Sequence, residues 1–224
     1  GSVSPAMKKR IIPIVIVLFA VSLQAAAGDL DTDFSSDGKV RTSIGTFDTA
    51  RDIAIQPDGR LVVVGQSDGN VAVGRYAVTG ALDTSFSGDG MVTTDIGGND
   101  DHATSVVLQP DGRIVVAGGS GASIDHDFLV LRYNSNGTLD TTFGEGGIAA
   151  INFGDAAQDV ALDGAGRIVV VGSEAGDVAL ARLTANGDLD TTFGGDGLLT
   201  GDFGTPGDRA NALHAPLVAA RRLL

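Results

Sequence analysis

A motif that recurs four times at a nearly constant spacing limits the fold of this chain more than any other feature. The copies are LDTDFSSDG at 30–38, LDTSFSGDG at 82–90, LDTTFGEGG at 139–147 and LDTTFGGDG at 189–197. A turn motif follows the same period, as QPDGR at 56–60 and 109–113 and as DGAGR at 163–167. An apolar run that ends in arginine is the third landmark, at Arg75, Arg132 and Arg182. Three landmarks with one period indicate a repeat architecture.

Each period contains four short segments typical of β-strands. In the second repeat they are MVTTDIG (91–97), ATSVVL (103–108), RIVVAGG (113–119) and DFLVLRY (127–133). Gly, Asp, Asn or Pro bounds each one, and QPDGR is typical of a tight hairpin turn. Four antiparallel strands per repeat predict an all-β fold made of propeller blades. A β-solenoid is the main alternative, although its coils are usually shorter than this period.

The LDTTFG…DG and QPDGR landmarks resemble the delta-60 repeat, a family of bacterial secreted proteins classed as β-propellers. The resemblance covers about residues 29–208. It implies a propeller fold and an extracellular setting. It supplies no catalytic residues.

The number of repeats predicts an incomplete β-propeller. Repeats at 29–80, 81–137 and 138–187 are followed by a partial copy at 188–213. We therefore expect about three four-stranded blades plus a partial fourth, whereas a closed ring needs at least four. The tail at 214–224 diverges from the repeat, and its pattern is compatible with a short amphipathic helix.

The N-terminal residues predict export. Residues 1–6 resemble an expression scar, and 7–27 combine a positive start, an apolar run and a small-residue cleavage site. This pattern is typical of a secretory signal peptide. An uncleaved anchor is the alternative, but the apolar run is short for a membrane span. We expect a secreted or periplasmic bacterial protein with no membrane contact after signal cleavage.

Composition excludes several functional classes. The net charge of -13 argues against a nucleic-acid partner and fits an extracellular protein or one that collects cations. The absence of cysteine excludes disulfides and a thiolate nucleophile. A hydrophobic content of 43% is sufficient for a folded core.

Residues present in every copy are expected to serve the blade itself. The motif phenylalanines are predicted to lie in the core: Phe34, Phe86, Phe143 and Phe193. The motif aspartates are predicted to cap turns or to pair with the recurring arginines: Asp31, Asp83, Asp140 and Asp190. Residues that occur in only one copy are the better functional candidates.

The second repeat differs most from its neighbours and holds two of the three histidines. Its loops at 97–102 and 119–127 are expected to emerge on one face of an antiparallel blade. They would bring the following residues to one rim: Asp100, Asp101, His102, Ser120, Asp125, His126 and Asp127. Neighbouring blades are expected to add Asp48, Ser67, Asp68, Asp155, Glu174 and Asp177.

This predicted rim is compatible with non-catalytic binding of a partner, a glycan or a cation. The ligand-binding candidates are Asp100, Asp101, Asp125, Asp127, Ser67 and Asp68. Carboxylates favour calcium, and Asp101, Asp125 and Asp127 are the metal candidates. Acidic loop tips that are only solvated are the simplest alternative interpretation.

The other functional hypothesis is a hydrolase of the esterase or arylesterase type that acts on small esters. His102 or His126 would be the base and Ser120 the nucleophile, or a cation held by carboxylates would activate water. The sequence GQSDG at 65–69 resembles a nucleophile elbow only weakly, because it leads into a strand and not a helix. Similarly, the aspartates at 29–37 mimic a calcium loop without its terminal glutamate.

Incomplete closure predicts self-association. The first and last sheets are expected to expose apolar faces that carry Val62, Val64, Ile168 and Val170, and a strand near 198–203 is expected to have an unpaired edge. Both features favour a homodimer or a higher even oligomer. Coverage by the N-terminal segment or by the tail is the alternative.

Overall fold

A computed structural model describes residues 28–97, 100–120, 127–202 and 210–213. Within these residues the chain forms twelve β-strands and no helix. The predicted all-β fold is confirmed. The predicted signal peptide and the divergent tail lie outside the described residues.

The strands form three four-stranded antiparallel sheets, and strands that are adjacent in the chain are adjacent in each sheet. Blade 1 contains β1 (Asp48–Ile55), β2 (Leu61–Ser67), β3 (Asn70–Tyr76) and β4 (Met91–Thr94). Blade 2 contains β5 (His102–Leu108), β6 (Ile114–Ser120), β7 (Asp127–Tyr133) and β8 (Ile148–Ile151). Blade 3 contains β9 (Asp159–Leu162), β10 (Ile168–Glu174), β11 (Asp177–Leu183) and β12 (Leu198–Gly201).

The recurring turn motif forms a tight hairpin, as predicted, and this hairpin joins the first two strands of each blade. In blade 1 the N–H of Gly59 donates to the carbonyl of Gln56 at 2.9 Å, which closes the turn between β1 and β2. Gly59 has a φ of 85°, a conformation that glycine adopts without steric cost. The same geometry recurs at Gly112 and Gly166.

The blades are offset by one strand from the predicted grouping. We predicted that 91–97 and 103–108 share a sheet, but β4 pairs with β3 of the preceding blade, with Val71 opposite Thr94. That prediction is wrong because the LDT motif folds the chain back along the strand before it. The N–H of Asp83 donates to the carbonyl of Arg75 at 2.9 Å, and the N–H of Arg75 donates to Gly90 at 2.8 Å. The LDT motif therefore connects the third and fourth strands of one blade.

The core lies between neighbouring sheets. One apolar cluster joins blades 1 and 2, and a second joins blades 2 and 3. Val62, Val64, Ile168 and Val170, which we predicted on open faces, are at most 1% exposed. Those predictions are wrong because both faces of these strands are apolar, and the four residues point toward blade 2.

The outer face of blade 1 carries apolar residues instead. Ile53 is 52% exposed and Ile55 is 69% exposed, and both lie on β1. The predicted edge strand near 198–203 is β12 (Leu198–Gly201), which ends its sheet and pairs on one side with β11.

Three four-stranded antiparallel sheets, stacked face to face along the chain, constitute an incomplete β-propeller. The described residues include no helix that is long and apolar enough to cross a membrane.

Candidate functional site

The recurring aspartate binds the recurring arginine inside each blade, as predicted. The Nε atoms of Arg75, Arg132 and Arg182 each lie 2.8 Å from Oδ2 of Asp83, Asp140 and Asp190, respectively. A second arginine from the hairpin turn reaches the same oxygen at 3.0, 2.9 and 3.4 Å, from Arg60, Arg113 and Arg167 in turn. One carboxylate therefore holds two guanidinium groups in every blade.

These contacts set the protonation of the motif aspartates. Burial raises the pKa of Asp140, but hydrogen bonds from Thr142 and the charges of Arg132 and Arg113 outweigh it. The pKa of Asp140 consequently lies below its ordinary value. Asp140 is ionised near neutral pH and serves the architecture of blade 2.

The motif phenylalanine packs beneath the arginine and against the next blade. The guanidinium of Arg132 lies 4.6 Å from the ring centroid of Phe143. Phe86 and Phe143 are fully buried, which confirms the prediction for the two middle copies. Phe34 and Phe193 are only half-buried, so the prediction of core positions is wrong at the two ends of the repeat array.

A backbone hydrogen bond repeats at each junction between blades. The N–H of Ser87 donates to the carbonyl of Asn136 at 2.7 Å, and the N–H of Gly144 donates to Asn186 at 2.7 Å. The residue after each motif phenylalanine is thereby tied to a turn of the following blade. Residues shared by all copies hold the blades together, and the functional candidates lie elsewhere.

The polar ends of blades 1 and 2 meet at one rim. His102 is opposite Gly119, so the start of β5 and the end of β6 lie at one end of blade 2, as predicted. The amide Nε2 of Gln66 donates to Oδ1 of Asp100 at 3.1 Å, and the N–H of Asp101 donates to Gly69 at 2.9 Å. The loop of blade 2 is thus attached to the β2–β3 hairpin of blade 1.

Asp101 is fully buried at this rim, with a relative exposure of 0%. Its Oδ2 accepts a hydrogen bond from the N–H of Ile96 at 2.8 Å. Its Oδ1 is buried without a hydrogen-bond partner in the described part of the chain. Asp101 therefore has a buried acceptor oxygen that no donor satisfies within the described residues.

The equivalent aspartates in the other blades are satisfied. In blade 1, the hydrogen bond from Ser67 and those from the N–H groups of Ile44 and Gly45 lower the pKa of Asp48 below its ordinary value. In blade 3, Oδ2 of Asp155 accepts a hydrogen bond from Oγ of Ser173 at 2.8 Å.

The blades differ in the residue that supplies the hydroxyl. In blade 3 the donor Ser173 follows Gly172, and Gly119 takes that position after Gly118 in β6. In blade 1 the donor Ser67 takes the position of Ser120 in β6, but Oδ1 of Asp101 has no partner among the described residues. The rim aspartate was predicted, but its burial and its missing donor were not.

His102 lies beside Asp101 at the start of β5 and is half-buried. Its Nδ1 is 3.3 Å from the backbone carbonyl of Asp100. Its ring edge lies next to Gly119, where an added Cβ would be 3.1 Å from Cε1. Ser120 is the next residue and ends β6. The predicted roles of His102 and Ser120 in ester hydrolysis stay predictions, and His126 lies outside the described residues.

Ser67 and Asp68, two further ligand candidates, have structural partners. Ser67 is 3% exposed and its hydroxyl binds Asp48. The carboxylate of Asp68 accepts hydrogen bonds from the N–H groups of Thr46 and Phe47, each at 2.9 Å. These contacts attach the segment before β1 to the β2–β3 hairpin.

The remaining rim candidates lie at strand ends. Glu174 and Asp177 face each other at the end of the β10–β11 hairpin. Asp127 begins β7 opposite Ser120, and Asp125 lies outside the described residues. Across the residues that the structure describes, no three His, Asp or Glu side chains form a group that could hold a metal.

Comparison with known families agrees with this architecture. Residues 56–86, 109–143 and 166–193 match a family model described as Domain of unknown function (DUF5122) beta-propeller. Each matched segment runs from the hairpin turn to the motif phenylalanine of one blade. The match supports a β-propeller repeat family. No curated protein matches the chain.

Proposed function

We propose that this β-propeller repeat protein is a non-catalytic binding module that takes a divalent cation, such as calcium, at the rim between blades 1 and 2. The buried and unpaired Oδ1 of Asp101 carries the proposal. A buried carboxylate oxygen without a donor destabilises a fold by about 1–3 kcal/mol or more. A bound cation would remove that penalty.

The surroundings of Asp101 favour a hard cation. Calcium prefers carboxylate and carbonyl oxygens, and Asp100 and the carbonyl of Gly69 adjoin Asp101. The net charge of -13 raises the local concentration of cations. Asp125 and Asp127 remain predicted additional ligands.

The test is calorimetric titration of calcium chloride into the purified protein. We expect saturable binding with a dissociation constant of about 10⁻⁴–10⁻³ M, the range of extracellular calcium modules. Asp101→Asn should weaken this binding at least tenfold, because the amide lacks the charge. Asp48→Asn is the matched control and should leave the affinity unchanged, since Asp48 already has four donors.

Two results would contradict the proposal. One is calcium binding by Asp101→Asn with the affinity of the unmodified protein. The other is an absence of binding by the unmodified protein at millimolar calcium. Circular dichroism of both variants controls for misfolding.

The setting of this module is also a proposal. The spacing of the LDT and turn motifs supports membership of the delta-60 repeat family, and the composition of 7–27 supports export. Exposed Ile53 and Ile55 on the outer face of blade 1 support self-association.

A further inference from the structure

The first copy of the LDT motif has the same folded shape as the other three. The N–H of Phe34 donates to the carbonyl of Asp31 at 3.1 Å, and the N–H of Gly38 donates to Phe34 at 2.8 Å. The corresponding hydrogen bonds around Phe86 measure 2.9 and 2.7 Å. Residues 30–38 therefore keep the connection between a third and a fourth blade strand.

This first copy docks on blade 1 as later copies dock on the blade that follows them. The N–H of Ser35 donates to the carbonyl of Thr79 at 2.9 Å, which matches the bond from Ser87 to Asn136 at 2.7 Å. Residues 30–42 thus lie against blade 1 in the position that the LDT motif and fourth strand of one blade take against the next.

Within the described residues, no strand that carries arginine pairs with the first copy. The side chain of Asp83 is 11% exposed in its ion pair with Arg75, whereas Asp31 is exposed and forms no ion pair with an arginine within the described ranges. Residues 39–42 are not in a strand, whereas their counterparts β4, β8 and β12 each pair with a third strand.

The first copy also carries more negative charge at this point than the others. In the later copies a hydroxyl accepts from Nη2 of the arginine, as Ser85 does from Arg75 at 2.9 Å. Asp33 stands at that position in the first copy, and its N–H already donates to Oδ1 of Asp31 at 2.9 Å. An incoming guanidinium would meet two carboxylates in place of one.

We propose that residues 30–42 form an acceptor site for a β-hairpin that carries arginine, supplied by another blade-repeat unit. The occupant resembles β2 and β3, with one arginine after the turn and one near the end of the second strand. That second arginine would pair with Asp31 and Asp33 and lie over Phe34. Its backbone would bond to Gly38 and Asp31 as Arg75 bonds to Gly90 and Asp83. Residues 39–42 would add a fourth strand to this hairpin.

The probe is a synthetic peptide with the sequence of residues 163–184, which contains Arg167 and Arg182. We expect saturable binding to the full chain by calorimetry. A peptide with Arg182→Ala should bind at least tenfold more weakly, and so should the unmodified peptide to a chain with Asp31→Asn. Asp188→Asn removes one exposed charge elsewhere and should leave the affinity unchanged.

Equal binding of both peptides would overturn the proposal, as would equal binding by Asp31→Asn. Binding seen only after removal of 214–224 would overturn the proposed occupant, because Arg221 or Arg222 of the chain itself would then hold the site.

A second measurement replaces the first if the peptide aggregates. An additional copy of residues 43–81 is fused directly before Leu30, so that it supplies three strands that complete a blade with residues 30–42. This longer chain should have a higher midpoint of thermal unfolding than the same chain with the added Arg75 replaced by Ala. Identical midpoints would contradict the arginine site.

Discussion

The hydroxyl of Tyr133 in blade 2 lies 2.7 Å from Oγ1 of Thr94 at the end of β4 in blade 1. Tyr133 is fully buried, and burial raises the pKa of its hydroxyl to about 12 despite the hydrogen bond with Thr94. The contact joins the outer strand of one blade to the third strand of the next. It is a polar contact within the apolar interface between blades 1 and 2.

Tyr133→Phe should lower the free energy of unfolding by about 1–3 kcal/mol, because the buried hydroxyl of Thr94 loses its partner. Adding Thr94→Val should recover part of this loss, since no hydroxyl is then left unpaired. Urea unfolding of both single variants and the double variant measures the coupling. Strictly additive losses would show that the two hydroxyls do not interact.

Asp140→Ala should destabilise the protein by about 3–5 kcal/mol, because Arg132 is buried and keeps its charge. Asp31→Ala removes the same residue from the first copy, where no arginine is paired within the described ranges, and should cost little. Guanidinium unfolding of the two variants provides the comparison. Similar losses of stability in the two variants would show that the arginine pair of Asp140 does not set it apart from Asp31.

Acid should destabilise the protein through the motif aspartates. Hydrogen bonds from Ser85 and the charges of Arg75 and Arg60 leave the pKa of Asp83 below its ordinary value of 3.8, and Asp140 and Asp190 behave likewise. A carboxyl with a lowered native pKa contributes full stability above its unfolded pKa, and that stability is lost as pH falls through the native value. Thermal midpoints should therefore fall below about pH 4.

The control for this acid effect is Asp140→Asn, which cannot titrate at that position. Its thermal midpoint should fall less between pH 5 and pH 3 than that of the unmodified protein. An equal fall would assign the acid sensitivity to other groups.

Gly137→Ala should cost more stability than Gly112→Ala. Both glycines have a positive φ, at 91° and 86°, so each alanine carries about 1–2 kcal/mol of backbone strain. A Cβ at Gly137 would also lie 3.1 Å from the Phe86 ring, whereas at Gly112 the nearest atom is 3.8 Å away. The difference in thermal midpoint between the two variants measures the effect of crowding between position 137 and the Phe86 ring. Equal decreases in midpoint would show that this crowding has no effect.

Much of the fold was predictable because its signals are local. The QPDGR turn determines the hairpins, and alternation of apolar residues with turn residues determines the strands. The pairing of β4 with β3 was not predictable, since it depends on the LDT motif folding back through Arg75 and Gly90. The orientation of Val62 was missed because β2 is apolar on both faces.

The candidate site was predictable to the level of its rim. Antiparallel topology places His102 near the end of β6, where it lies opposite Gly119. The burial of Asp101 depends on packing between blades, which no single repeat specifies. Its missing donor was not predictable either, because Ser120 stands at the position from which Ser67 binds Asp48 in blade 1.

The most direct test of the proposed cation site is an anomalous difference map from a crystal soaked in terbium, which replaces calcium. We predict a peak beside Oδ1 of Asp101 and none at the equivalent Asp48 and Asp155, whose carboxylates already have donors. No peak at Asp101, or peaks of equal height at all three aspartates, would contradict a specific site at the rim between blades 1 and 2.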